Sequence, residues 1–267
     1  MNTKIQLLVI DPQNDFMDIP GAALPVPGAD ADMKRLARFI DRVGDALHAI
    51  RVTLDSHHPV DIAHPIWWSN VAGENPAPFT TISVADVRNG IWAARNPLVQ
   101  SYSSQYVEAL EVNGRYQLLI WPPHCLIGSW GHNVQADVFQ ALSAWGRKKL
   151  ATVDFIPKGS NPKTEHYSAV QAEVPDPSDA ATTLNSSLIS SLQEADVLVI
   201  AGEALSHCVA STIRDIANHF DEENIRKLVL LTDCASAVPG FEKLGKDFVR
   251  EMMDRGMQTA VSTEYLR

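Results

Sequence analysis

The chain has 267 residues, 45% of them hydrophobic, which is enough for one sizeable core or two small ones. Its 32 acidic residues outnumber its 22 basic ones, and the net charge of -10 argues against the nucleic-acid backbone or an anionic membrane surface as a partner. No window approaches the roughly 18 uninterrupted apolar residues that a bilayer span needs.

Residues 1–10 run straight into a strand-like segment, without the basic region and long apolar stretch of a signal peptide. Cys125, Cys208 and Cys234 form no Cys-X-X-Cys pair, so reduced thiols in a cytoplasm fit better than a disulfide framework.

Short apolar runs alternate with amphipathic stretches. Residues 5–10 predict a buried strand ending at Asp11. Residues 30–49 predict a helix, with Met33, Leu36, Ala37, Ile40, Val43 and Leu47 on one face. Strands follow at 50–54 and 117–121, a helix at 134–145, and a strand at 150–156. A strand at 197–201 leads into a helix at 208–220. A strand at 228–231, a helix at 241–255 and a last edge strand at 259–261 complete the series. Such alternation predicts an α/β three-layer sandwich with a central, mainly parallel sheet and helices on both faces. Sites in these sheets form at the carboxyl ends of the strands, where Asp11, Asp55, Trp121, Lys158 and Cys208 all fall.

The pattern predicts a single domain over residues 1–267 with two irregular interruptions, at 59–112 and 157–185. The first is rich in Trp, Pro, Asn and Ser. Long irregular segments are usually lids or rims, and oligomer contact is the other reading. A lid or rim over about 65–115 is the expectation carried forward.

Cys208 lies between an apolar strand and an amphipathic helix. A thiol at a helix N-terminus faces the positive end of the dipole, which predicts a pKa below the usual value and an enriched thiolate. Backbone N–H groups at the same turn can hold an oxyanion. Alone, a cysteine near a helix start is more often structural, Asp11 reads as a turn cap and Lys158 as a solvated loop residue. Together, from separate strand ends, they supply a nucleophile, a general base and a charge partner.

Asp55-Ser56-His57 places two ligand-type side chains on one side of an extended segment. His64 lies further along, and His124 follows Trp121-Pro122-Pro123. His58 points elsewhere in an extended chain and is excluded. An Asp and two His around one ion with open positions suit Zn(II), Fe(II) or Mn(II).

Taken together, these residues resemble the cysteine hydrolases that include nicotinamidase, isochorismatase and N-carbamoylsarcosine amidase. Residues 8–16, Leu-Val-Ile-Asp-Pro-Gln-Asn-Asp-Phe, resemble the motif carrying the family's catalytic aspartate. Lys158-Gly159 resembles its catalytic lysine, and Gly202 through Cys208 its nucleophile turn. The resemblance covers the chain apart from the insertion. Asp55-X-His57 and Trp121-Pro-Pro-His124-Cys125 are similar to the metal-binding nicotinamidases within that family.

The resemblance implies a metal-dependent amidohydrolase acting through a Cys208 thioester, with nicotinamide as first substrate. Another small carboxamide or carbamoyl substrate is the alternative, and an inert scaffold member of the fold is a third. It also implies an oxyanion hole from the Ala204 and Cys208 N–H groups, with Glu203–Ala204 in the cis form. Phe16 and Trp121 would sandwich the substrate ring. Asp55, His57, His124 and His64 would hold one divalent transition-metal ion. The partners implied are a small-molecule amide and further copies of the chain.

Three features depart from the family pattern. The segment between His64 and His124 is long, the offset of His64 is not fixed in the family, and the nucleophile turn carries Glu203, Leu205 and Ser206. Nicotinamidases more often have an aliphatic residue, Thr and Asp at those three positions.

Overall fold

The apolar runs pair as the alternation predicts. A computed structural model describes residues 3–113 and 116–266. Its strands are β1 (Ile5–Ile10), β2 (Leu47–Asp55), β3 (Trp68–Ser69), β4 (Thr81–Ile82), β5 (Ala93–Ala94), β6 (Leu118–Leu119), β7 (Asp154–Lys158), β8 (Val197–Gly202), β9 (Leu228–Leu231) and β10 (Gln258–Ala260). The helices are α1 (Ala29–Val43), α2 (Val84–Arg88), α3 (Gln100–Asn113), α4 (Ala136–Lys149), α5 (Ser186–Gln193), α6 (Ala210–His219), α7 (Glu222–Ile225) and α8 (Glu242–Asp254).

One six-stranded sheet runs in the order β10-β9-β8-β1-β2-β7, with every neighbouring pair parallel. The central strands β1, β8 and β9 are almost wholly buried, as strands covered on both faces must be. Right-handed crossovers put α1 and α4, which serve the rightward steps, on one face. They put α5, α6 and α8, which serve the leftward steps, on the other. The packing of α1 against α4 and of α6 against α8 agrees. No helix among the described residues is long and apolar enough to cross a membrane.

Three element boundaries differ from the sequence reading. The helix predicted over 30–49 ends at Val43, and Leu47 already pairs with Ile5 in the sheet. Leu47 is buried in either assignment, so periodicity did not separate them. The strand predicted at 117–121 is only β6, paired antiparallel with β4 and outside the main sheet. Pro122 and Pro123 stop it, because neither can donate to a ladder. The strand predicted at 150–156 begins at Asp154, because α4 runs on to Lys149 and closes on Leu150 in a left-handed conformation.

Within the interruption predicted at 65–115, residues 65–113 are ordered rather than irregular, and 114–115 lie outside the described residues. It carries α2, α3 and the short pairs β3–β5 and β4–β6. Trp67, Trp68, Tyr106, Val107 and Leu110 are buried within it and against the body. The Tyr102 hydroxyl donates to the Lys163 carbonyl at 3.0 Å, and the Glu165 N–H donates to the Tyr106 hydroxyl at 2.9 Å. These aromatics therefore anchor the insertion onto the 157–185 segment.

Candidate active site

Strand register assembles the site. Asp55 and Lys158 end adjacent strands and are direct register partners, so their side chains project together from the sheet's carboxyl edge. Lys158 Nζ lies 3.0 Å from Asp55 Oδ1.

Asp11 follows β1 with φ of 44°, a left-handed conformation uncommon for a residue other than glycine. Its N–H donates to the Thr53 carbonyl at 3.2 Å and Oγ1 at 3.1 Å, and the Thr53 hydroxyl donates back to Asp11 Oδ1 at 2.5 Å. Asp11 Oδ2 is thereby left 3.0 Å from Lys158 Nζ.

Cys208 arrives from β8. Gly202 turns the chain there with φ of 127°, and a Cβ at that position would meet the Ile10 carbonyl oxygen at 1.9 Å. Only glycine permits this approach. One wide helical turn, Leu205–Val209, then leads into α6. Cys208 Sγ sits 3.6 Å from Lys158 Nζ. The ligating atoms of Asp11, Asp55 and Cys208 all lie within 4.8 Å of one another. The His166 carbonyl, 2.9 Å away, completes the surroundings of the ammonium.

Burial raises the Cys208 thiol pKa well above its usual value. Lys158 offsets part of this, while Asp11 and Asp55 add to it. The resting sulfur therefore holds its proton, which corrects the expected thiolate: desolvation and two neighbouring carboxylates outweigh the helix dipole. Burial also raises Asp11, against the pull of Lys158. For Lys158, burial acts downward, but Asp11 and Asp55 prevail and lift it well above the ordinary lysine value. A neutral thiol thus faces a carboxylate of raised proton affinity beside a permanent cation, a matched donor and acceptor for one proton.

A second cluster shares Asp55. Its Oδ2 lies 3.1 Å from His57 Nε2 and 3.3 Å from His124 Nε2. The ligating atoms of these three buried residues all lie within 4.8 Å of one another. His57 Nδ1 pairs with Asp61 Oδ2 at 3.1 Å, and His124 Nδ1 with the Pro122 carbonyl at 2.9 Å. Each outer contact fixes a ring so that Nε2 faces the cluster, as it does in metal sites. Gln13 braces Asp55 by accepting from its N–H and donating to its carbonyl, both at 2.7 Å. His124 is placed by the Trp121 N–H bond to the Ala63 carbonyl and the Cys125 N–H bond to Asp15 Oδ2, at 2.8 and 2.7 Å. His64 stands beside the cluster, its ring buried and its centroid 5.2 Å from that of His57.

A cleft above the sulfur is lined by Phe16, Trp121, Tyr167, Glu165, Ala204 and His207, with Asp55 and His124 at its side. It is a narrow cleft, with a cavity volume of about 20 Å³. Larger cavities of about 770 and 580 Å³ lie on the α1–α4 surface and beside β7, away from the cysteine. Phe16 and Trp121 both flank His124, with centroids at 5.5 and 6.4 Å. From the insertion, Phe79 reaches the Trp121 ring at 5.8 Å. The Glu203–Ala204 peptide is cis, as the resemblance implies.

Sequence reasoning missed Thr53, Asp61, Glu165, Tyr167 and His207. Asp61 lies four residues after His57, and His207 immediately precedes the nucleophile, so spacing offered a signal for these two. Burial holds His207 neutral, its pKa lowered to about 4. Cys125 and Cys234 are both fully buried, and burial raises both thiols.

No protein-family model matches the chain, and no curated protein matches it in sequence. Solved structures do match. A nicotinamidase/pyrazinamidase of Acinetobacter baumanii is 21% identical over 99% of both chains, with a TM-score of 0.65. The yeast nicotinamidase bound to the inhibitor nicotinaldehyde is 18% identical over 96% of this chain and 99% of that one, also at 0.65. A pyrazinamidase of Pyrococcus horikoshii in complex with zinc is 21% identical over 97% and 99%, at 0.57. The chain has the isochorismatase-like α/β fold that these nicotinamidases and pyrazinamidases share.

Proposed function

We propose that the chain is a metal-dependent cysteine amidohydrolase that converts a small heteroaromatic carboxamide, nicotinamide first, into its acid and ammonia. The observation that carries this is the contact of Lys158 Nζ with both Asp11 Oδ2, at 3.0 Å, and Cys208 Sγ, at 3.6 Å, beneath a cleft walled by aromatic rings. The fold shared with nicotinamidases and pyrazinamidases supports it.

Asp11 takes the thiol proton as Cys208 Sγ attacks the amide carbon. Lys158 keeps the charged pair compensated. The carbonyl oxygen becomes an oxyanion held by the Ala204 and Cys208 N–H groups. The C–N bond breaks, and the leaving nitrogen takes the proton from Asp11 and departs as ammonia. Asp11, again a carboxylate, accepts a proton from water as the water attacks the thioester. The acid leaves and the thiol is restored.

Phe16 and Trp121 flank the ring of the substrate, where stacking favours a flat aromatic body. The donor set fits a transition metal: one carboxylate and two imidazoles face each other, His57 Nε2 has no partner among the described residues besides Asp55, and buried His64 beside them would be a fourth ligand. Such an ion would supply a Lewis-acid site beside the cleft that orients a ring nitrogen or a water. The test is ammonia release from nicotinamide, pyrazinamide, carbamoyl compounds and maleamate, run with metal analysis of the purified protein. Turnover of the carbamoyl compounds or maleamate without the ring amides would reassign the substrate. No turnover of any would overturn the reading.

A further inference from the structure

Glu203 departs from the pattern of the nucleophile turn and is fully buried. Its Oε2 accepts the Ser236 N–H at 2.9 Å. No N–H or O–H donor among the described residues reaches Oε1. Ser236 in turn links this carboxyl to Asp32, which α1 supplies. Asp32 already accepts from the Arg35 guanidinium and, at 2.6 Å, from the Ser236 hydroxyl. Arg35 in turn donates to the Asp233 carbonyl at 2.5 Å, and the Leu205 N–H to the Ser236 carbonyl at 2.7 Å. The segment carrying Ala204 is thus gripped from both sides, by Glu203 through Ser236 and Asp32, and by Leu205 through Ser236.

We propose that Glu203 is a positioning residue, whose side chain, bound to Ser236 and through it to Asp32, fixes the segment that presents the Ala204 N–H to the developing oxyanion. The proposal rests on the amide-hydrolysis reading above. Glu203 and Asp32 both accept from Ser236, so two buried carboxyl groups lie close together and ionising both is costly, which leaves one proton on the pair. Glu203 carries it: burial raises its pKa well above that of free glutamate, and Asp32 and the more distant Asp18 add to the rise. The neutral acid keeps Oε2 as the acceptor of the Ser236 N–H. Facing the pair are Asp32 and Arg35 from α1, Asp18 from the loop before α1, and Asp233 and Ser236 from the loop after β9. Arg35 is the cation that compensates Asp32.

Two substitutions separate positioning from space filling. In Glu203→Gln the amide oxygen can accept from Ser236, as the protonated acid does. Glu203→Leu fills the volume and does not make that bond. The expected result is that Glu203→Gln keeps kcat near wild type, while Glu203→Leu loses on the order of 10- to 100-fold in kcat with KM little changed. Iodoacetamide alkylation of Cys208 should proceed at an unchanged rate in both.

Glu203 also carries a pH signature. A carboxyl whose folded pKa is raised contributes stability below its free value of 4.5 and loses it as pH rises towards the folded pKa. Wild-type Tm should therefore fall relative to Glu203→Gln as pH is raised above that value, and its kcat should fade on the alkaline side where that of Glu203→Gln does not. Wild-type kcat in Glu203→Leu, or an equal loss in Glu203→Gln, overturns the proposal. If the wild-type chain turns over no amide, the substrate reading alone fails. Infrared spectroscopy then decides the pair: a protonated-carboxyl band at neutral pH that is missing in Glu203→Gln supports it, and absence of that band from wild type overturns it.

Discussion

Replacing Lys158 by methionine tests whether one ammonium holds the reaction centre together. Methionine keeps most of the length and the apolar stem and removes only the charge. In the folded chain Nζ lies 3.0 Å from Asp11 Oδ2 and 3.0 Å from Asp55 Oδ1, with all three side chains at most 5% exposed. Breaking a buried ion pair by removing one partner costs about 3–5 kcal/mol, because the surviving charge has nothing to compensate it. Here two carboxylates are stranded together, and the cheapest relief is for Asp11 to bind a proton. A protonated Asp11 cannot take the thiol proton. Stability should then fall by about 3 kcal/mol, less than the full penalty because Asp11 neutralises, and kcat/KM should fall on the order of 10²- to 10⁴-fold as general-base catalysis is lost. Lys158→Arg should not restore activity, since a planar guanidinium cannot reach three oxygens and a sulfur from the point that Nζ occupies. Urea denaturation and ammonia release from nicotinamide measure the two effects. A loss below tenfold, under about 1.4 kcal/mol, in a well-folded Lys158→Met chain would refute the assignment.

Cys208→Ala should abolish ammonia release without unfolding the chain, while Cys125→Ala and Cys234→Ala, which lack the Asp11–Lys158 partnership, should keep most activity; near-normal turnover in folded Cys208→Ala removes the nucleophile. Purified protein should carry one transition-metal ion per chain by plasma mass spectrometry. Asp61→Ala, which frees the far side of the His57 ring, should weaken metal affinity about 10- to 100-fold, and an unchanged affinity would count against that site. If the 65–115 insertion rims the cleft through Phe79, then Phe79→Ala should alter the ratio of kcat/KM between nicotinamide and bulkier amides. An unchanged ranking would leave the insertion a surface element only.

Much of the site was legible because its chemistry sits where the pattern is strongest. Asp11, Asp55 and Lys158 each close an apolar run, and a parallel sheet carries the ends of neighbouring runs to one edge, so reading three strand ends amounted to reading one cleft. His124 was legible for another reason, since two prolines before it prevent a strand and force a turn. What escaped depends on contacts distant in sequence. Thr53 lies inside a buried strand, and nothing in an apolar run shows that its hydroxyl faces the next strand's aspartate. Glu165 and Tyr167 lie in a polar, proline-rich stretch that periodicity cannot place. The protonation of Cys208 could not be read at all, because the sequence shows the helix that would lower the thiol pKa and hides the desolvation and the carboxylates that raise it. That reversal bears on the proposed mechanism: a thiol that holds its proton at rest needs Asp11 for the attack as well as for ammonia departure and thioester hydrolysis. If Asp11 serves all three steps, a folded Asp11→Asn chain should lose about as much kcat as Cys208→Ala, and a loss of less than about tenfold in ammonia release would remove Asp11 as the proton carrier.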